Sequence, residues 1–186
     1  MLTINIKYFI IDNGNYFICG DTQKMKITRR QAREITLCLV FDFGFNSDEK
    51  PEELLDLYVR YFPEADDKNI TEQVKDDEYI SKVYFGVAES IDELDKTIKN
   101  CSLKWKFERM SRVSVSILRI ALYEILYMDS IPTEVSINEA VELAKKYDSD
   151  DSYTFINGVL GAAVKQQEVP GLVSEEPEAE KDNVEE

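Results

Sequence analysis

The stretch Ile117–Leu160, ILRIALYEILYMDSIPTEVSINEAVELAKKYDSDDSYTFINGVL, decides the fold of this chain. It holds three helix signatures joined by two short turns. Between Ile117 and Met128 the only charged residues are Arg119 and Glu124. A helix this apolar on every side belongs at the centre of a fold. Unpaired burial of a charge is costly, so Arg119 and Glu124 are expected to pair internally with Asn138, Glu139 or a backbone group. Pro132 separates this helix from the next, where Ser136 and Glu139 have the spacing of a capping box. Ile137, Ala140, Val141 and Ala144 share the packed face of that helix. Asp148–Asp151 reads as a polar loop, with Asp151 or Ser152 capping a last helix to about Gln167. Ile156, Val159, Leu160 and Ala163 fall on its inner side. Gly158 lies inside that helix at a cost of about 1 kcal/mol relative to alanine, which predicts close approach of a neighbouring helix.

Upstream, the pattern stays helical from Thr28 onward. Thr28 and Gln31 form a capping box for a helix to about Phe43 that stops at Gly44, with Ala32, Ile35, Leu39 and Phe43 inward. Pro51 suits the first turn of a helix to about Phe62, whose stripe is Leu54, Leu55, Tyr58 and Phe62. A third helix is expected over Thr71–Glu89, with Tyr79, Ile80, Val83 and Val87 buried. Ser90 and Glu93 give another capping box, opening a helix to about Asn100 with Ile91, Leu94 and Ile98 on one side. Trp105 and Phe107 fall in a short connection. The predicted architecture is all-α, a compact domain of about seven helices spanning residues 28–168. Residues 1–27 differ: β-prone runs Ile4–Ile11 and Tyr16–Cys19 surround Asn13-Gly14, a hairpin turn signal. They are either an appended hairpin or upstream sequence before a start at Met25. Residues 169–186 form an acidic tail, and Ser174–Glu186 alone carries −6, too polar to fold.

The 186 residues carry 22 basic and 37 acidic side chains, a net charge of −15. Nucleic-acid binding would therefore need a local basic patch and a basic partner. The chain has no histidine, which excludes Ser-His-Asp and Cys-His catalysis and removes the commonest zinc ligand. No Gly-rich phosphate loop or nucleophile motif is present, so neither an enzyme nor a cofactor or metal site is expected. Cys19, Cys38 and Cys101 are odd in number and far apart, as in a reduced, cytoplasmic compartment. No apolar run is long enough to span a membrane.

Arg29, Arg30 and Arg33 occupy the first two turns of the first helix, the end whose partial positive charge disfavours cations. Two readings follow: a phosphate target outside the fold, or a solvated basic face. Phe155 lies in the first turn of the last helix beside inward residues, either as a rim aromatic able to stack an unpaired base or as an ordinary core ring.

Four blocks in register, ILRIALYE, IP, INEAVELAKKY and DSYTFINGVL, resemble the NusB family of bacterial transcription antitermination factors. Thr28-Arg29-Arg30-Gln31-Ala32-Arg33-Glu34 is similar to that family's arginine-rich motif, although Gln31 stands where other versions carry arginine. The resemblance implies RNA binding by Arg29, Arg30, Arg33, Asp151 and Phe155. It implies pairing with NusE, a ribosomal protein, and joint binding to the single-stranded boxA element of ribosomal RNA leaders. It further implies loading onto RNA polymerase with other Nus factors and resistance to Rho-dependent termination. The competing expectation is a homodimeric or protein-only adaptor, with the arginine helix buried in an interface and an apolar patch beside Arg30 and Arg33.

Overall fold

The structure, a computed structural model, describes residues 11–12, 15–16, 27–46, 48–61, 73–102, 105–149 and 151–168. Besides a helical stretch over 73–76, seven α-helices are placed among them: α1 Arg29–Phe43, α2 Pro51–Tyr61, α3 Glu78–Glu89, α4 Ile91–Cys101, α5 Arg112–Tyr127, α6 Thr133–Tyr147 and α7 Ser152–Glu168. A 3₁₀ turn, Phe107–Arg109, links α4 to α5. Strands Ile11–Asp12 and Asn15–Tyr16 pair antiparallel, Ile11 opposite Tyr16, on either side of Asn13-Gly14. The rest of the expected hairpin and the acidic tail lie outside the described residues.

Helix α5 is the hub, packing against α1, α3, α4, α6 and α7. Every residue from Ser114 to Glu124 is buried, as the apolar run Ile117–Met128 predicts. Around it close Ala32, Ile35, Leu39 and Phe43 of α1, Ile80, Val83 and Val87 of α3, Leu94 and Ile98 of α4, and Ile156, Val159 and Leu160 of α7. Each such large aliphatic side chain contributes about 1.5–3 kcal/mol when fully buried. The α1 capping box forms as expected: the Thr28 hydroxyl accepts from the Gln31 N–H at 3.2 Å, and the Thr28 N–H donates to Gln31 Oε1 at 2.9 Å. Gln31 therefore closes the cap at the position where an arginine would not.

Several expectations need correction. The third helix does not run through from Thr71. A helical stretch over 73–76 ends at Asp77, whose extended backbone and side-chain acceptor for the Ile80 N–H start α3 afresh. Ser90 makes no side-chain cap. It serves instead as C-cap of α3, its backbone N–H donating to the Gly86 carbonyl at 3.0 Å. Helix α6 begins three residues before Ser136, at Thr133, so Ser136 and Glu139 are not its cap. Its buried face is Ala140, Leu143, Ala144 and Tyr147, with Ile137 only partly covered. Arg119 pairs with neither Asn138 nor Glu139: its guanidinium grips Asp95 of α4 with two bonds of 2.8 Å.

Glycine packing is also relocated. A Cβ at Gly158 would meet nothing within 4 Å, so no described helix approaches there. The close crossing is at Gly86 of α3, where a Cβ would run into the ring of Tyr123 on α5.

Candidate nucleic-acid interface

The three arginines of α1 have different fates. Arg33 is 4% exposed. Its Nε donates to Glu124 Oε1 at 2.9 Å, and its Nη1 lies 3.6 Å from Glu139. Glu124, 1% exposed, also accepts from the Tyr79 hydroxyl and, at 2.6 Å, from the Ser136 hydroxyl. One buried carboxylate thus ties α1, α3 and α6 to α5. Burial alone would lower the Arg33 pKa, but the hydrogen bond and charge of Glu124 outweigh it and raise it. Burial, then the Glu124 charge, push the Tyr79 phenol far above its ordinary value, so Tyr79 stays a donor. Arg33 is therefore removed from the exposed set that the sequence pattern assembles, because its guanidinium balances a charge inside the fold.

Arg29 and Arg30 remain at the surface. The Arg29 guanidinium lies 4.7 Å above the Tyr79 ring, a cation–π contact that holds it over the same network. The Arg30 side chain is 63% exposed, with Nη2 3.5 Å from Glu139. Arg30 borders a hollow of about 410 Å³ lined also by Glu34, Glu139, Glu142, Leu143, Lys145 and Lys146. Lys146 bridges back to Glu34 of α1 at 2.6 Å. Lys145 binds Glu142 at 2.8 Å and sits 5.7 Å over the Tyr153 ring at the start of α7. Among the described residues that line this hollow only Leu143 is apolar. The cations are matched by acids, and this face is charged but close to neutral.

Asp151 is exposed immediately before α7. Its loop is anchored from one side, since Asp148 accepts from the Ser111 hydroxyl at 2.7 Å and from the Ser114 hydroxyl. Phe155 is half-buried on the rim of the core. Its ring stands 5.6 Å from that of Trp105 at an interplanar angle of 58°. Among the described residues no hydrogen bond, ion pair or ring contact joins Phe155 to the arginines. Lys145, which lines the hollow with Arg30, reaches α7 only at the Tyr153 ring, and the ring contact of Phe155 is with Trp105. Sequence reasoning missed both lysines because cations in a last helical turn also read as ordinary complements to the helix end. It missed Trp105, although Lys104-Trp105-Lys106 is a basic, aromatic signal.

Comparison with known proteins matches residues 30–165 to the NusB family. The transcription antitermination protein NusB of Clostridium novyi is 42% identical over 139 residues, covering 75% of this chain and 99% of the relative. The structure of T. maritima NusB superposes with a TM-score of 0.62 at 33% identity, over 76% of this chain and 94% of that one. The solution structure of Aquifex aeolicus NusB gives 0.61 at 25% identity, over 79% and 98%. Sequence and architecture agree over the same helices that carry Arg30 and Phe155, and the chain belongs to the NusB family.

Proposed function

We propose that this chain is a cytoplasmic transcription antitermination factor that binds the boxA element of ribosomal RNA leaders together with NusE. In this reading the complex joins RNA polymerase with other Nus factors and resists Rho-dependent termination. The observation that carries the RNA-binding part is the pair of surface cations at the start of α1, Arg29 and Arg30, the second of which faces Lys145 and Lys146 across one hollow. A phosphate entering it would replace a long 3.5 Å contact of Arg30 to Glu139 with a shorter charge-assisted one. Arg33 acts from behind, holding the first turns of α1 in place. In this reading Phe155, partly exposed at the rim of the core, stacks an unpaired base, and Asp151, exposed just before α7, contributes near the RNA.

The function is binding, with no bond made or broken. A charge of −15 leaves little long-range attraction for RNA, so a basic ribosomal protein is a fitting partner and would contribute the missing positive field. The test is binding of boxA single-stranded RNA across a salt series, with and without NusE. We expect affinity to fall linearly on a log–log plot against salt, and NusE to tighten it. Salt-independent binding, or none in either condition, would overturn the reading.

A further inference from the structure

We propose that Trp105 is a second base-stacking residue, which makes with Phe155 a two-ring platform for unpaired nucleobases. The proposal rests on the RNA-binding reading above and extends its surface beyond the residues named there.

Trp105 is 60% exposed, the most exposed of the large apolar side chains among the described residues. An indole is the largest apolar body a side chain can bury, and here it is held outside. Its backbone is anchored: the Trp105 N–H donates to the Ser102 carbonyl at 2.8 Å, and the 3₁₀ turn Phe107–Arg109 follows. Phe107 packs against the core, with the Lys99 ammonium 4.7 Å over its ring. The indole is thus presented from a fixed point. It stands 5.6 Å from Phe155, which is itself backed by the core, so the two rings form one ledge with a rigid inner wall.

Charge identifies the occupant. Residues 99–112 contain Lys99, Lys104, Lys106, Arg109 and Arg112 against the single acid Glu108, in a chain of net charge −15. A single-stranded nucleic acid supplies both the anion for these cations and the flat π-surface for the rings. Tilted at 58° to each other, the rings suit successive bases that are themselves splayed.

The chain contains one tryptophan, so its intrinsic tryptophan emission reports on Trp105 alone. The full chain is titrated with the labelled single-stranded RNA of the boxA binding test, read by anisotropy, and with the same unlabelled RNA, read by tryptophan emission. Emission is expected to quench along the anisotropy isotherm. Trp105→Ala is expected to weaken binding about 5- to 100-fold at an unchanged salt slope, and Trp105→Phe to restore most of it. Exposure of the indole leaves the fold intact on truncation, checked by far-UV circular dichroism. RNA binding with unchanged emission, and a Trp105→Ala affinity within about twofold of wild type, overturns this proposal alone. Absence of any anisotropy change overturns the RNA-binding reading and this one with it. Emission that responds to a basic protein partner but not to RNA assigns the ring to protein contact and overturns stacking.

Discussion

Arg33 Nε and Glu124 Oε1 lie 2.9 Å apart although 91 residues separate them in the chain. The arginine motif of α1 and the apolar helix α5 are therefore one unit. Removing Arg33 leaves a buried carboxylate with its cation gone. Arg33→Ala is expected to cost about 3–5 kcal/mol in a denaturant unfolding experiment, whereas Arg30→Ala, at the surface, should stay within about 0.5 kcal/mol. Equal effects would contradict the division between the two arginines.

Ser136 bears on the same carboxylate. If its hydroxyl serves Glu124, the cost of Ser136→Ala, about 1–3 kcal/mol, should shrink when Glu124 is already Gln. A helix cap at Ser136 would instead give additive costs, so the double-mutant cycle separates the two.

The glycines make opposite predictions. Gly86→Ala drives a methyl group into the Tyr123 ring and should lower the melting temperature, at about 1–3 kcal/mol of overpacking. Gly158→Ala meets nothing within 4 Å and should raise it, by up to about 1 kcal/mol of helix propensity. Thermal unfolding of the two variants checks both signs.

Tyr79 gives the pH dependence. Its folded pKa is raised above the ordinary 10.0, first by burial and then by the charge of Glu124. The folded state then holds this proton more tightly than the unfolded one. The stability so contributed is complete below the ordinary value and is lost as pH rises past it. Tyr79→Phe should therefore show a shallower loss of stability above about pH 10 than wild type. Identical slopes would contradict the assigned environment.

The legible part of the fold is its apolar periodicity. The inward residues of α1, α3 and α7 follow from spacing alone, and the all-burying run of α5 marks the hub. The polar detail is not legible, for a physical reason. A serine three residues before a glutamate is the pattern of a capping box, and it is equally the pattern of two polar groups on one helix face. Pro132 starts α6 earlier, so Ser136 and Glu139 fall inside the helix and turn to Glu124 and the arginines. The arginine motif reads as a surface because its spacing puts Arg29, Arg30 and Arg33 on neighbouring sides. Which of them faces the core depends on where Glu124 arrives from α5, and that is a tertiary fact. Phe155 belongs at the rim by its inward neighbours, and the structure agrees, but its partner Trp105 comes from a connection 50 residues earlier.

The central claim is that the exposed arginines, not the whole motif, hold RNA phosphates. It is tested by measuring boxA RNA affinity across a salt series for wild type and for the Arg29→Ala, Arg30→Ala double variant, whose fold should be intact because both side chains lie outside the core. The account predicts weaker binding and a log–log salt slope shallower by about 0.7 for each phosphate no longer neutralised. Wild-type affinity with an unchanged slope would contradict it.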